Sequence, residues 1–222
     1  IKYISASVAV VLLMQSVWMG VVAEAIFKKQ LPSLEKLAAI ALIMVGTVLA
    51  TGALPYHAGS IDPRGVVLGL FAALCFTATM FASGSVALHL SPEKRSQYMI
   101  LGSTASVFAL GAITQLIPYY AGIDLLGASF SQAKPFEFNV LFPYGVAAAV
   151  FGTILPPVMF NKGFPAVGIG MGSILSSMEL PFAMLTAYLV LGDSITPLQL
   201  MGAVTIFAAI LLLNYRAAFG KL

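Results

Sequence analysis

The run PAVGIGMGSILSSMELPFAMLTAYLVLGDSITPLQLMGAVTIFAAILLL, residues 165–213, decides the fold. It divides into an apolar span from Pro165 to Val190, an acidic turn Leu191-Gly192-Asp193-Ser194, and a second apolar span from Pro197 to Leu213. At about 1.5 Å per helical residue, each span is long enough to cross a hydrocarbon layer roughly 30 Å thick. Glu179 falls near the midpoint of the first span, where a carboxylate costs a few kcal/mol and therefore faces protein or a water-filled cavity. Two residues later, Pro181 cannot donate its backbone hydrogen bond and disturbs the preceding turn, leaving carbonyl oxygens free to bind something. Charge and loosened backbone thus coincide at mid-membrane.

The rest of the chain agrees with a membrane location. Of its 222 residues, 60% are hydrophobic and 9% charged, and the mean hydropathy is +1.00, which excludes a soluble domain and predicts an all-α polytopic bundle. The single cysteine, Cys75, cannot form an internal disulfide, and its setting between Leu74 and Phe76 predicts a small buried hydrophobe. The net charge of +3 arises from basic residues placed in loops between spans, which excludes a nucleic-acid surface. His57 and His89 lie near span ends, and the sequence carries no metal-ligand spacing, nucleophile–base set or phosphate loop. No enzyme, metal or cofactor is expected. The chain starts at Ile1 without a signal-peptide pattern, so the natural N-terminus is expected upstream.

Apolar runs bounded by turn signals give seven spans: Ser5 to Phe27, Leu34 to Leu54, Gly65 to Leu90, Tyr98 to Ile117, Phe142 to Phe160, Ala166 to Val190, and Pro197 to Leu213. Most connections are short, Asn161-Lys162-Gly163 among them, so neighbouring spans pack as antiparallel hairpins. Alternating the loops collects Lys28, Lys29, Lys36, Lys94, Arg95, Lys162, Arg216 and Lys221 on one side and leaves Lys2, Arg64 and Lys134 on the other. The richer side is cytoplasmic by the positive-inside rule, which puts the C-terminus in the cytoplasm. Gly65 with Gly69, and Gly168 with Gly172, are spaced for close helix packing. The first pair of spans, turning at Gln30-Leu31-Pro32-Ser33-Leu34, can be laid over the last pair, turning at Asp193-Ser194-Ile195-Thr196-Pro197. The two turns fall on opposite sides, as in inverted-repeat transporters.

The motif Ser176-Ser177-Met178-Glu179-Leu180-Pro181-Phe182, then Leu191-Gly192-Asp193, then Leu198-Gln199-Leu200-Met201-Gly202-Ala203 resembles the end of an EamA-type domain of the drug/metabolite transporter superfamily. That family pairs Glu with Pro in the penultimate helix, turns on Leu-Gly-Glu and places Gly early in the last helix. Here Leu180 intervenes and Asp193 replaces Glu. The stretch Arg64-Gly65-Val66-Val67-Leu68-Gly69 also resembles the first helix of a second repeat. The resemblance implies ten helices in two inverted five-helix repeats. Seven of them lie in this chain: the end of the first repeat in residues 1–56 and the second in 64–216. It implies a transporter that exports small metabolites across the inner (plasma) membrane by alternating access. Expected partners are a small-molecule substrate, protons, the lipid bilayer and a second copy in a homodimer. The rival is a non-transporting membrane scaffold.

Glu179 leads the candidates. Two roles are open: binding an amine or a proton, or accepting hydrogen bonds that orient the bundle. Gln15 and Trp18, three apart on one helix face, offer an amide and an aromatic wall to a substrate. Thr153, Ser173 and Ser176 could line the same cavity, and Ser173 and Ser176 share roughly one face with Glu179. Pro156 and Pro157, like Pro181, are expected to kink a helix or gate it. Glu24, with Lys28 at i+4, reads as a snorkelled interfacial pair. Tyr119, Tyr120, Asp124 and Phe136 to Phe138 mark an external segment lying along the interface or serving as a lid.

Overall fold

The computed structural model describes residues 3–52, 62–123, 125, 133–135, 142, 145–192 and 194–219, without the side chains of residues 191 and 214–219. His57, Asp124, Phe136 to Phe138 and Asp193 lie outside the described residues. Among the described residues the regular structure is helical, with no strand. The protein is an all-α membrane bundle. Five helical spans are long and apolar enough to cross a bilayer, Pro197–Leu213 is a shorter apolar helix, and Leu34–Ala50 forms a further helix of 17 residues. The chain divides into two compact units.

The first unit comprises Ile1–Val86 and Phe164–Leu222. Its opening span is two helices, α1 (Ala6–Leu13) and α2 (Ser16–Lys28), separated by a turn at Met14 and Gln15. Next come α3 (Leu34–Ala50) and α4 (Pro63–Ser85). Side-chain caps start both: the Ser33 hydroxyl accepts from the Lys36 amide, and the Asp62 carboxylate accepts from the Arg64 amide ahead of a proline in the first turn.

The second unit, Ala87–Gly163, contains α5 (Pro92–Gly111), a π-helical turn Ala112–Leu116, α6 (Ile117–Ala121), α7 (Val146–Ala148) and a π-helical turn Ala149–Ile154. It also contains most of α8 (Leu155–Val167). The first unit resumes with α9 (Ile169–Ser176), α10 (Glu179–Thr186), a π-helical turn Ala187–Leu191 and α11 (Pro197–Phe219).

Small residues let helices of the first unit approach closely, the main route to packing where lipid supplies no hydrophobic drive between helices. α3 crosses α11 with Gly46 against Gly202 and Ile206, and Ala50 against Gly202. Rising numbers on one helix meet falling numbers on the other, so the two are antiparallel. α2 and α9 are antiparallel on the same test: Gly20 meets Ser173, and Glu24 meets Gly168 and Gly170. Val17, Val21, Ile40, Ile43, Ile174, Ile206 and Ile210 form the core between these pairs. Gly65 and Gly69 do face one partner, the opening span, through Ile4 just ahead of α1 and Leu12 within it. Gly168 instead has φ +84 and caps α9, while Gly172 packs on the Phe164 ring. Only glycine adopts that φ without strain, and Gly168 also packs closely against Glu24.

Two expectations are corrected. Asn161-Lys162-Gly163 is not a connection; α8 runs through it to Val167. Pro165 has no N–H for the Asn161 carbonyl four residues back, and Arg95 Nη1 donates to that oxygen at 3.2 Å. The Asn161 amide donates to Ser96 Oγ at 2.9 Å. Arg95 thus supplies a donor that proline removes, and the break moves to Gly168. Cys75 is exposed, not buried. The inward stripe of α4 is Gly65, Ala73, Thr77, Met80 and Ser83, which leaves Cys75 on the outer face.

Candidate functional site

The opening span and the span α9–α10 are broken in the same way. Eight helical residues, a two-residue turn and thirteen helical residues make up Ala6–Lys28, and the same lengths recur in Ile169–Leu191. Each ends on a left-handed residue, Lys29 in one and Gly192 in the other. The hydrogen bonds repeat as well. Gln15 N bonds Leu12 O at 3.1 Å, Val17 N bonds Met14 O at 3.1 Å and Met19 N bonds Gln15 O at 3.2 Å. In the other span Met178 N bonds Leu175 O at 3.1 Å, Leu180 N bonds Ser177 O at 3.3 Å and Phe182 N bonds Met178 O at 3.2 Å. The tightened turns deprive the Leu13 and Ser176 carbonyls of their usual donors, Val17 and Leu180.

The causes differ between the two breaks. In the second, Pro181 brings no amide, while Ser176 Oγ donates to Ser173 O at 2.7 Å and Ser177 Oγ to Ile174 O at 2.6 Å. Such back-bonding competes with the helix ladder and bends it. In the first, no proline is present. Gln15 Nε2 donates to Val11 O at 3.0 Å, and Trp18 Nε1 donates to Gln15 Oε1 at 2.8 Å. The amide is thereby oriented at both ends, with the indole 38% exposed beside it.

The antiparallel contact brings the two breaks together. Ser173 is fully buried, and its Oγ lies 3.1 Å from Val17 O and 2.9 Å from Gly170 O, so one hydroxyl proton is shared between the two helices. On the other side of the crossing, Val10 of α1 and Leu180 of α10 line one cavity. Glu179 is the first residue of α10, is exposed, and has no hydrogen-bond or ion-pair partner among the described residues. A carboxylate at a helix N-terminus is favoured by the helix dipole. Gln15, Trp18, Ser173, Ser176 and Glu179 therefore all lie within one turn or so of the two breaks. Thr153, Pro156 and Pro157 belong to the second unit: Thr153 is exposed in the π-helical turn, and the two prolines open α8 directly after it.

One residue was not singled out in the sequence, and one that was has a further partner. Ser16 Oγ is buried at the first break without a partner among the described residues, and Ser16 occupies the place in its span that Glu179 occupies in the other. Glu24 does pair with Lys28, at 2.8 Å, but it is buried rather than snorkelled, and its second oxygen takes Lys36 of α3 at 3.0 Å. The i+4 spacing revealed Lys28; nothing local pointed to Lys36. A polar cavity of about 170 Å³ adjoins this cluster. One of about 310 Å³, lined by Ser7, Thr51, Ser194 and Gln199 among others, opens at the opposite end of the unit.

A family model described as the EamA-like transporter family matches residues 63–215. Comparisons with curated proteins and with solved structures give no match.

Proposed function

The chain belongs to the EamA-like transporter family, whose members carry small substrates across membranes, and on that premise we propose that it exports a small metabolite across the cytoplasmic membrane by alternating access. The observation that carries this reading is the crossing of two equally broken spans. Broken helices at the interface of inverted repeats are where such transporters bind cargo, because freed carbonyls and helix ends offer polar groups without new charge. Residues 1–56 are the end of one repeat and residues 64–216 the other. Gln15, Trp18, Ser173, Ser176 and Glu179 contact the substrate. Glu179 binds its basic group or a coupling proton, and Pro156, Pro157 and Pro181 bend as the repeats rock.

Orientation follows from the ends of the first unit. Lys28, Lys29 and Lys36 gather at the end where α2 stops and α3 and α9 begin, whereas Arg64 stands at the other with the starts of α1 and α4. The lysine end is cytoplasmic, and so is the C-terminus.

The test starts with thermal stabilisation of the purified protein across metabolite classes, followed by counterflow of the stabilising compounds in proteoliposomes. Glu179→Gln is expected to slow counterflow by about tenfold, the equivalent of one charge-assisted contact, and to flatten its pH dependence. Full activity of this variant with an unchanged pH profile would remove Glu179 from the site. Failure of every compound to stabilise the protein or exchange would turn the reading to the scaffold.

A further inference from the structure

We propose that Glu24, Lys28 and Lys36 form an ionic latch that holds α2 against the start of α9 and so keeps the bundle closed at this end. The proposal rests on the transporter reading only for what the latch controls.

Glu24 bridges three helices. It is 7% exposed, its oxygens take Lys28 of α2 and Lys36 of α3, and its carboxylate lies against Gly168 and Gly170 of α9. A Cβ at Gly168 would stand 2.8 Å from Glu24 Oε1, and one at Gly170 would overlap Oε2. The carboxylate thus fills a slot that only glycines leave open. The slot sits over the first turn of α9, where the Gly168 cap offers no side-chain acceptor and the helix dipole attracts negative charge. The two ammonium groups fix the carboxylate in place from the α2 and α3 side.

The opposite end of the unit has matching elements, but no counterpart of the Glu24–lysine cluster in sequence. A shift of 163 residues, which carries Ala6–Leu13 onto Ile169–Ser176, carries Glu24, Lys28 and Lys36 onto Ala187, Leu191 and Gln199. Met184, Ala187, Ser194, Ile195 and Gln199 line the cavity there, as Val21, Glu24, Leu31, Pro32 and Lys36 line its counterpart. The end with the ion cluster encloses about 170 Å³ and the other about 310 Å³. Inverted halves that were chemically alike would close either end equally well; the ion cluster breaks that balance. On the orientation above, the latched end of this unit faces the cytoplasm and the wider cavity faces outward.

The experiment reads accessibility and needs no substrate. In a Cys75→Ala background, Val21→Cys reports the latched end and Ala187→Cys the other, each probed with a membrane-impermeant maleimide on membranes of known sidedness. Glu24→Gln keeps the side-chain shape and removes the charge. It is expected to raise labelling of Val21→Cys by about tenfold while lowering that of Ala187→Cys, since opening one end closes the other. Gly170→Ala, which displaces the carboxylate without changing charge, shifts both reporters the same way, and Lys29→Met, outside the cluster, shifts neither. Unchanged labelling of Val21→Cys in both variants overturns the latch. A rise there without the fall at Ala187→Cys is local fraying and overturns it too. If both reporters shift yet no metabolite is carried, the latch stands and the transport reading fails.

Discussion

Gly202→Val is expected to lower the thermal unfolding midpoint of the detergent-solubilised protein by about 10 °C. A Cβ at residue 202 would overlap the Ala50 amide nitrogen and the Gly46 carbonyl oxygen, and would come within 2.8 Å of Ala50 Cα. All three are backbone atoms, so no side chain can rotate away to make room. Overpacking usually costs about 1–3 kcal/mol where side chains can adjust. Here α3 and α11 must separate, and the dispersion contacts of Ile43, Ala50, Ile206 and Ala209 go with them, so roughly 3 kcal/mol is expected. For a chain of this size each kcal/mol is worth roughly 2–4 °C. Gly102→Ala is the control, because a Cβ there meets nothing within 4 Å and alanine is the better helix former. Equal midpoints for the two variants would mean that the α3–α11 crossing is not a closest-approach contact.

That crossing was not legible in the sequence, and the reason is physical. Gly46 and Gly202 are single glycines in long apolar runs, without the four-residue spacing that drew attention to Gly65 and Gly69. The spans themselves were legible because bilayer thickness fixes their length whatever the packing. Which side of a span faces protein was not. On α4 the exposed Val67, Leu68, Phe71 and Leu74 are more apolar than the buried Ala73, Thr77 and Ser83, so reading Cys75 as buried applied a rule of water-soluble cores to a helix solvated by lipid. The candidate site was partly visible. Pro181 announced its break, and the three-residue spacing of Gln15 and Trp18 matches the hydrogen bond between them. The break at Met14 and Gln15 has no proline or glycine to announce it and appears only as the partner of the other.

Loss of both lysines, in Lys28→Met/Lys36→Met, is expected to destabilise the protein by roughly 3 kcal/mol, well beyond the sum of the single variants. Glu24 keeps only about a tenth of its side-chain surface exposed, whereas the side chains of Lys28 and Lys36 are 54% and 30% exposed. An ion pair with so exposed a partner is worth about 0–1 kcal/mol, and after either single substitution the carboxylate still has the other ammonium. After both, a buried carboxylate has neither, and a buried charge stripped of its partner costs roughly 3–5 kcal/mol. Water entering the adjoining polar cavity and the start of α9 offset part of that cost, which places the expectation at the lower limit. The check is a double-mutant cycle on unfolding free energies in detergent, with Glu24→Gln added to the double variant as a rescue. Removing the stranded charge should restore most of the loss. Additive singles, or a double variant that Glu24→Gln fails to rescue, would show that the three side chains act as separate surface charges and not as one cluster.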